Sequence, residues 1–381
     1  MKIKFNKISN FFYYIYFTLI LLSGTIPSFS NFYANYSLII QSLLLFALFV
    51  FNAKKVIKET ESFMLIILIL TISSISIVFS EGGVGSFLNL FHFLVGILIF
   101  LNIEINKKMK RFLYVICILL WIFNIRLSFS AWKLHVMHDS IYNPNSIGIF
   151  IFMTVIIIKS FLKEQNNRLL NIFSVFLILF STYCIYLTNC RSALLAMIVY
   201  IICLYIPLFN KLVFRYKKIL ICLIVIVGTI FPIIYVNMYK NKISLEIPFI
   251  KKSLYTGREK LWISMLDSLN DEKYGHLLGL GTNYNTKIGI INNYHNWYIG
   301  ILYTFGIPIL CLYFYFFTNI ISRLENREIL YGLIAILIIG FTETIGLWTG
   351  TQVYIFMCLI AQRTIKEEAK QKNDYGIHTN L

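Results

Sequence analysis

Long apolar runs separated by short links rich in lysine and arginine dominate the pattern along these 381 residues. Twelve such runs lie near 11–30, 35–51, 63–80, 86–102, 112–129, 146–162, 169–188, 192–209, 218–238, 296–321, 329–343 and 345–362. A helix rises about 1.5 Å per residue and the hydrocarbon core of a bilayer is about 30 Å thick, so roughly 20 apolar residues match one crossing. The runs are continuously apolar rather than alternating, which predicts helices and excludes a transmembrane barrel. The last two are short and close together, so ten or eleven crossings also fit the pattern. The expected fold is all-α: a polytopic bundle of about twelve membrane helices forming a single integral-membrane domain over 1–381, with one large loop at 240–295.

Composition agrees with this and excludes a soluble globular chain, because 58% of residues are hydrophobic, 13% are charged and mean hydropathy is +0.75. The positive charges set the orientation. With the N-terminus inside, the links expected on the inner side and the two ends hold 23 of the 34 Lys plus Arg. Another 8 fall in the long loop, which the positive-inside rule does not govern. The net charge of +17 therefore reads as a topogenic signal and a contact with anionic lipid head groups, with no nucleic-acid partner. Lys2, Lys4 and Lys7 precede an apolar run without an A-x-A-like cleavage site, so that run reads as span one. The seven cysteines lie in or beside spans without C-x-x-C pairing and read as packing residues.

On this topology the unusual polar residues sort to the outer side. Asn143, Pro144 and Asn145 open span six, Asn189 and Arg191 open span eight, and His295 and Asn296 open span ten. A helix start presents unpaired N–H groups and the positive end of the macrodipole, which suits an anion, and asparagine caps such starts well. Ordinary caps and interfacial anchors are the other reading of these asparagines. Arg191 runs directly into "SALLAMIVYIICLYI", at the edge of hydrocarbon, where a cation is costly without a partner or a task. Arg126 lies near the outer end of span five, and Glu343 in the link between the last two spans.

The insertion reads as structured. "TGRE" at 256–259 fits a capping box from Thr256 to Glu259, and Leu261, Met265, Leu266 and Leu269 recur at helical spacing beside Trp262, predicting an amphipathic helix for the membrane interface. Arg258 falls in its first turn, where the dipole disfavours a cation unless an anion comes close. "GLG" at 279–281 reads as a turn, not a nucleotide loop. His135, His138 and Asp139 make only a weak metal pattern, and His92 inside span four reads as a packed, hydrogen-bonded histidine.

The order of these features carries a resemblance. N-P-N before a span, an R-S-A helix start, G-R before a tryptophan helix, a G-L-G turn and H-N-W-Y at a span mouth followed by "GILYTFGIPIL" resemble the O-antigen ligase and polysaccharide polymerase family of bacterial membrane glycosyltransferases. The match covers about 140–310, and Thr256 stands where the family often has serine. The resemblance implies a GT-C-like helical membrane fold in the cytoplasmic membrane with the active site on the outer face, and the charge bias with twelve spans puts both termini on the cytoplasmic side. It implies transfer of a glycan from a polyprenyl-pyrophosphate carrier to a hydroxyl of an acceptor glycan, without nucleotide sugar, cofactor or obligatory metal, and with a chain-length regulator as a further partner. Arg191 and Arg258 would hold the pyrophosphate, and His295 would accept the proton or orient the acceptor, with Glu343 as rival base. Asn143, Asn145, Asn189, Asn296, Arg126 and Trp262 complete the candidate substrate contacts.

Within such a family a polymerase that joins repeat units is the favoured reading, over a ligase that moves finished glycan onto another acceptor. A lipid-linked oligosaccharide flippase is the alternative from another class. Transporters place polar residues near the midplane on broken helices, whereas here the polar constellation is one-sided.

Overall fold

The computed structural model describes residues 2–80, 83–103, 105–133, 143–243, 246–247, 252–253, 257–282, 284, 294–347 and 350–362. The first ten helices are α1 (Lys2–Thr25), α2 (Pro27–Val56), α3 (Thr60–Phe79), α4 (Val84–Asn102), α5 (Lys107–Lys133), α6 (Pro144–Glu164), α7 (Arg168–Leu187), α8 (Arg191–Tyr205), α9 (Pro207–Arg215) and α10 (Lys217–Lys240). The insertion contributes a two-stranded antiparallel ladder of β1 (Glu246–Ile247) and β2 (Lys252–Ser253), then α11 (Arg258–Asp271) and α12 (Gly275–Leu278). The chain then returns to the bundle through α13 (Trp297–Ser322), α14 (Arg327–Ile339), the 3-10 turn Ile345–Leu347 and α15 (Gly350–Gln362).

The protein is a polytopic helical membrane bundle. Among the described residues nine helices, α1 to α7, α10 and α13, are long and apolar enough to cross a bilayer. The count differs from twelve for two local reasons. Expected span eight is broken by a 96° bend between α8 and α9. Ile206 sits in extended backbone because the ring of Pro207 disfavours the helical conformation of the residue before it, and Pro207 then starts α9. The last two spans are short: the 13 residues of α14 reach about 20 Å at 1.5 Å per residue, less than a full crossing.

Burial sorts the helices into centre and rim. Most of α6 is enclosed by protein, whereas α2 is largely exposed on the rim. The rim exposes large apolar side chains such as Leu43, Val78, Leu169 and Phe176, a surface that suits hydrocarbon rather than water. His92 of α4 lies fully buried between the Tyr16 hydroxyl at 3.0 Å and Gln352 Oε1 at 2.5 Å, which joins α1, α4 and α15.

The two ends of the bundle differ. One carries ion pairs between helix ends: Lys110 with Glu164, Lys163 with Glu328 at 2.5 Å, and Arg323 with Glu59 at 3.5 Å. The other carries the insertion. Its α11 does not turn its apolar side to the membrane interface. Trp262, Met265 and Leu269 are buried, with Trp262 edge-on to Phe231 and Tyr235 of α10, because a bundle wall stands within reach of that face.

A break in α13 completes the frame. Gly306 adopts φ +82°, a conformation that side chains rarely tolerate, and Pro308 follows. The G-L-G turn docks there: a Cβ on Gly279 would lie 2.5 Å from the Phe305 backbone nitrogen, and the Leu280 N–H donates to the Tyr303 carbonyl at 2.7 Å. The turn thus anchors the insertion to the bundle.

Candidate functional site

The site is built on three segments that meet at the insertion end. The first is the link between α14 and α15, whose start is clamped to the mouth of α13. The Trp297 N–H donates to the Gly340 carbonyl at 2.8 Å. Asn296 caps α13 by accepting from the Ile299 N–H at 2.8 Å, and its amide donates to the Phe341 carbonyl at 2.9 Å. Gly346 lies so close to the indole of Trp297 that a Cβ would overlap the ring. With both flanks held, Glu343 projects from a short link of fixed course.

The second segment is the start of α11. The N-cap is Gly257, at φ +86°, rather than the expected Thr256, which lies outside the described residues, and Glu259 reaches back two residues to accept the Gly257 N–H at 3.0 Å. Trp262 donates to the Tyr294 carbonyl at 2.9 Å and so fastens the helix to the chain just before His295. Held this way, Arg258 brings Nη2 to 3.0 Å from Glu343 Oε1, with side chains 18% and 13% exposed. The third segment is the start of α6, where Asn143 caps the helix through the Asn145 N–H at 2.9 Å and the Asn145 amide donates to the same Glu343 oxygen at 3.3 Å.

Burial governs protonation here. Desolvation raises the Glu343 carboxyl above its ordinary value, and the Arg258 charge and hydrogen bond oppose that rise without cancelling it. His295, at φ +49°, is pushed down to about 4, first by burial and then by the Arg258 charge. Near neutral pH the imidazole is uncharged.

Beside Glu343 opens a cavity of about 470 Å³, a volume in the range of small-molecule sites. Its wall includes Ser86 and Asn89 of α4, Thr282 of the insertion, Thr304 of α13, and Thr344 and Thr351 around the link. The Ser86 and Thr282 hydroxyls are 2.7 Å apart, which ties α4 to the insertion. Glu343 is the one charged residue in this wall among the described residues, and hydroxyl and amide groups supply the rest of its polarity. Such a lining matches a neutral polyhydroxylated molecule.

The sequence-derived candidates separate into those the fold gathers and those it uses elsewhere. Arg258, Glu343, Asn143 and Asn145 meet directly, and His295 lies within the field of Arg258. Arg191 is exposed on the first turn of α8, and its buried neighbour Cys190 is within electrostatic reach of Glu343 and Arg258. Asn296 and Trp262 are buried and spend their polar groups on holding the frame. Asn189 does not cap α8: the capping position is Cys190, and Asn189 occupies the preceding left-handed turn at φ +56°. The Arg126 guanidinium is exposed on α5 and forms no hydrogen bond or ion pair among the described residues. His135, His138 and Asp139 lie outside the described residues, within which no cluster of metal-ligating side chains occurs.

Sequence reasoning missed Ser86, Asn89, Thr282, Thr304, Thr344 and Thr351. Their only signal was polarity inside or beside apolar runs, which helix-internal hydroxyl bonds also explain.

Comparison with known families places a match over residues 175–314, to the family described as O-antigen ligase. Comparisons with curated proteins and with solved structures give no match.

Proposed function

We propose, from the match of residues 175–314 to the family described as O-antigen ligase, that this chain is a polysaccharide polymerase. In this reading it joins lipid-pyrophosphate-linked oligosaccharide repeat units at the outer face of the cytoplasmic membrane. The observation that carries the reading is the Arg258–Glu343 pair beside a cavity lined by hydroxyl groups, in whose wall Glu343 is the one charged residue among those described. An arginine suits the leaving pyrophosphate and the cavity suits sugar, so one site offers both halves of a glycosyl transfer.

The chemistry follows from exchange of partners. An arriving pyrophosphate takes Arg258 from Glu343, with Arg191 of the neighbouring helix start as a second cation. Glu343 then loses the one charge that lowered its proton affinity, while the burial that raised it remains. The carboxylate becomes a better base at the moment the donor is in place. An acceptor hydroxyl oxygen bonds to the anomeric carbon, and the bond from that carbon to the pyrophosphate oxygen breaks. The electron pair leaves with the lipid pyrophosphate, held by arginine, and the hydroxyl proton passes to Glu343. His295, neutral beside Arg258, positions the acceptor or relays that proton. The outer placement rests on the lysine and arginine bias, since Lys110, Lys163, Lys217 and Arg323 mark the opposite end.

The family's description favours a ligase as the second reading. Both are tested on a strain lacking the gene, complemented with wild type, Arg258→Ala or Glu343→Gln, by resolving surface and lipid-linked glycans on a gel. A polymerase predicts collapse to a single repeat unit that only wild type reverses. Long glycan stranded on the carrier lipid would establish the ligase, and an unchanged ladder would defeat both.

A further inference from the structure

The end of the bundle opposite Glu343 holds a second polar cavity that glycosyl transfer does not use. It forms where the 96° elbow between α8 and α9 bends around the end of α6 and the start of α14. Two adjoining clefts, of about 310 and 720 Å³, share Leu204, Tyr205, Asn210 and Arg327. Their walls contribute five cations, Lys159, Lys163, Lys211, Arg215 and Arg327, against one carboxylate, Glu328, which Lys163 engages at 2.5 Å.

Lys159 is the informative member. It is 8% exposed on α6, its ammonium meets the Ser174 hydroxyl at 3.3 Å and stands 5.5 Å over the Tyr205 ring, and no carboxylate lies within 4.0 Å among the described residues. A buried cation that touches a hydroxyl and a ring face, and whose neighbouring carboxylate Glu328 is already engaged by Lys163, is costly unless a further anion completes its surroundings. Arg327 is held by the Asn210 side chain at 2.8 Å and by the ring of Phe214, so a second cation is fixed in position. The exposed apolar residues Leu208, Phe209 and Leu212 of α9 continue from the cleft along the protein surface.

We infer that this elbow binds a phosphoryl anion, carried by a lipid head group at the inner membrane surface or free in solution. Basic pockets between membrane helices recognise head groups in this way, charge meeting the phosphate while apolar flanks meet the chains. The inference is independent of the transfer chemistry, because none of its residues lines the Glu343 cavity.

The test is the melting temperature of the full chain in nanodiscs of phosphatidylcholine, with or without phosphatidylglycerol, and separately with inorganic phosphate. Wild type, Lys159→Met and the exposed pair Lys211→Ala/Arg215→Ala are compared, with Lys54→Ala/Lys55→Ala as a charge-matched control elsewhere. A rise with phosphatidylglycerol alone identifies a head-group site, and an equal rise with inorganic phosphate identifies a free anion. In either case the Lys211/Arg215 variant loses at least half the rise and the control keeps it. Should neither probe shift the melting temperature, or should the Lys211/Arg215 variant keep the whole shift, the inference fails. The exposed pair keeps the test decisive even if Lys159→Met does not fold.

Discussion

Arg258 Nη2 and Glu343 Oε1 stand 3.0 Å apart, although 85 residues and the whole of α13 and α14 separate them in the chain. The pair is largely shielded from water, so each charge depends on the other until a substrate intervenes. In our proposal that exchange loads the active site.

Arg258→Ala is expected to lower glycosyl transfer by about 10²- to 10³-fold, the usual cost of removing a group that stabilises developing negative charge. Arg258→Lys should recover part of the rate, since a point charge survives but the two-pronged grip is lost. Turnover of a purified lipid-linked oligosaccharide at matched protein levels measures both.

The pH profile should show an acid limb above the ordinary glutamate range, because burial raises the Glu343 carboxyl. Activity requires the deprotonated form, so it is present above the raised value and lost as pH falls through it. Removing Arg258 deletes the two opposing influences, which moves any residual acid limb further up. An acid limb that stays in place in Arg258→Ala would argue against Glu343 as the base.

His295 contributes no inflection near pH 6.5, since burial and Arg258 hold its value down to about 4. Between pH 5.5 and 8 the imidazole stays neutral, and His295→Ala should scale the profile down without changing its shape. A wild-type transition near 6.5 that His295→Ala abolishes would contradict this environment.

Ser86→Ala and Thr282→Ala should raise KM for the glycan several-fold with little change in kcat, because their hydroxyls line the cavity and bond each other rather than Glu343. Steady-state kinetics at fixed protein concentration separate the two parameters.

Gly346→Ala should destabilise the link by about 1–3 kcal/mol, the range for forcing extra volume into a packed site, because Trp297 occupies the space a Cβ would need. A lower melting temperature with a parallel loss of transfer is the expected result, since the same link carries Glu343.

The sequence by itself determined the membrane class, the helical architecture and most helix limits, because a bilayer imposes apolar length and charge bias on every crossing one run at a time. It also exposed Arg258, Glu343 and the N-P-N start as unusual, since a charge or a cap beside an apolar run is locally visible. It did not distinguish Asn143, which borders the cavity, from Asn296, which is spent on the Phe341 carbonyl, because the two share the same local pattern. Nor did it show that α11 turns its apolar stripe to α10 rather than to lipid, as an amphipathic face does not name its partner. Only the tertiary structure decided that Glu343 meets Arg258, that the G-L-G turn docks on the break at Gly306, and that threonines from distant segments line one cavity. These are contacts between remote segments, and apolar periodicity carries no information about which helix end packs beside which.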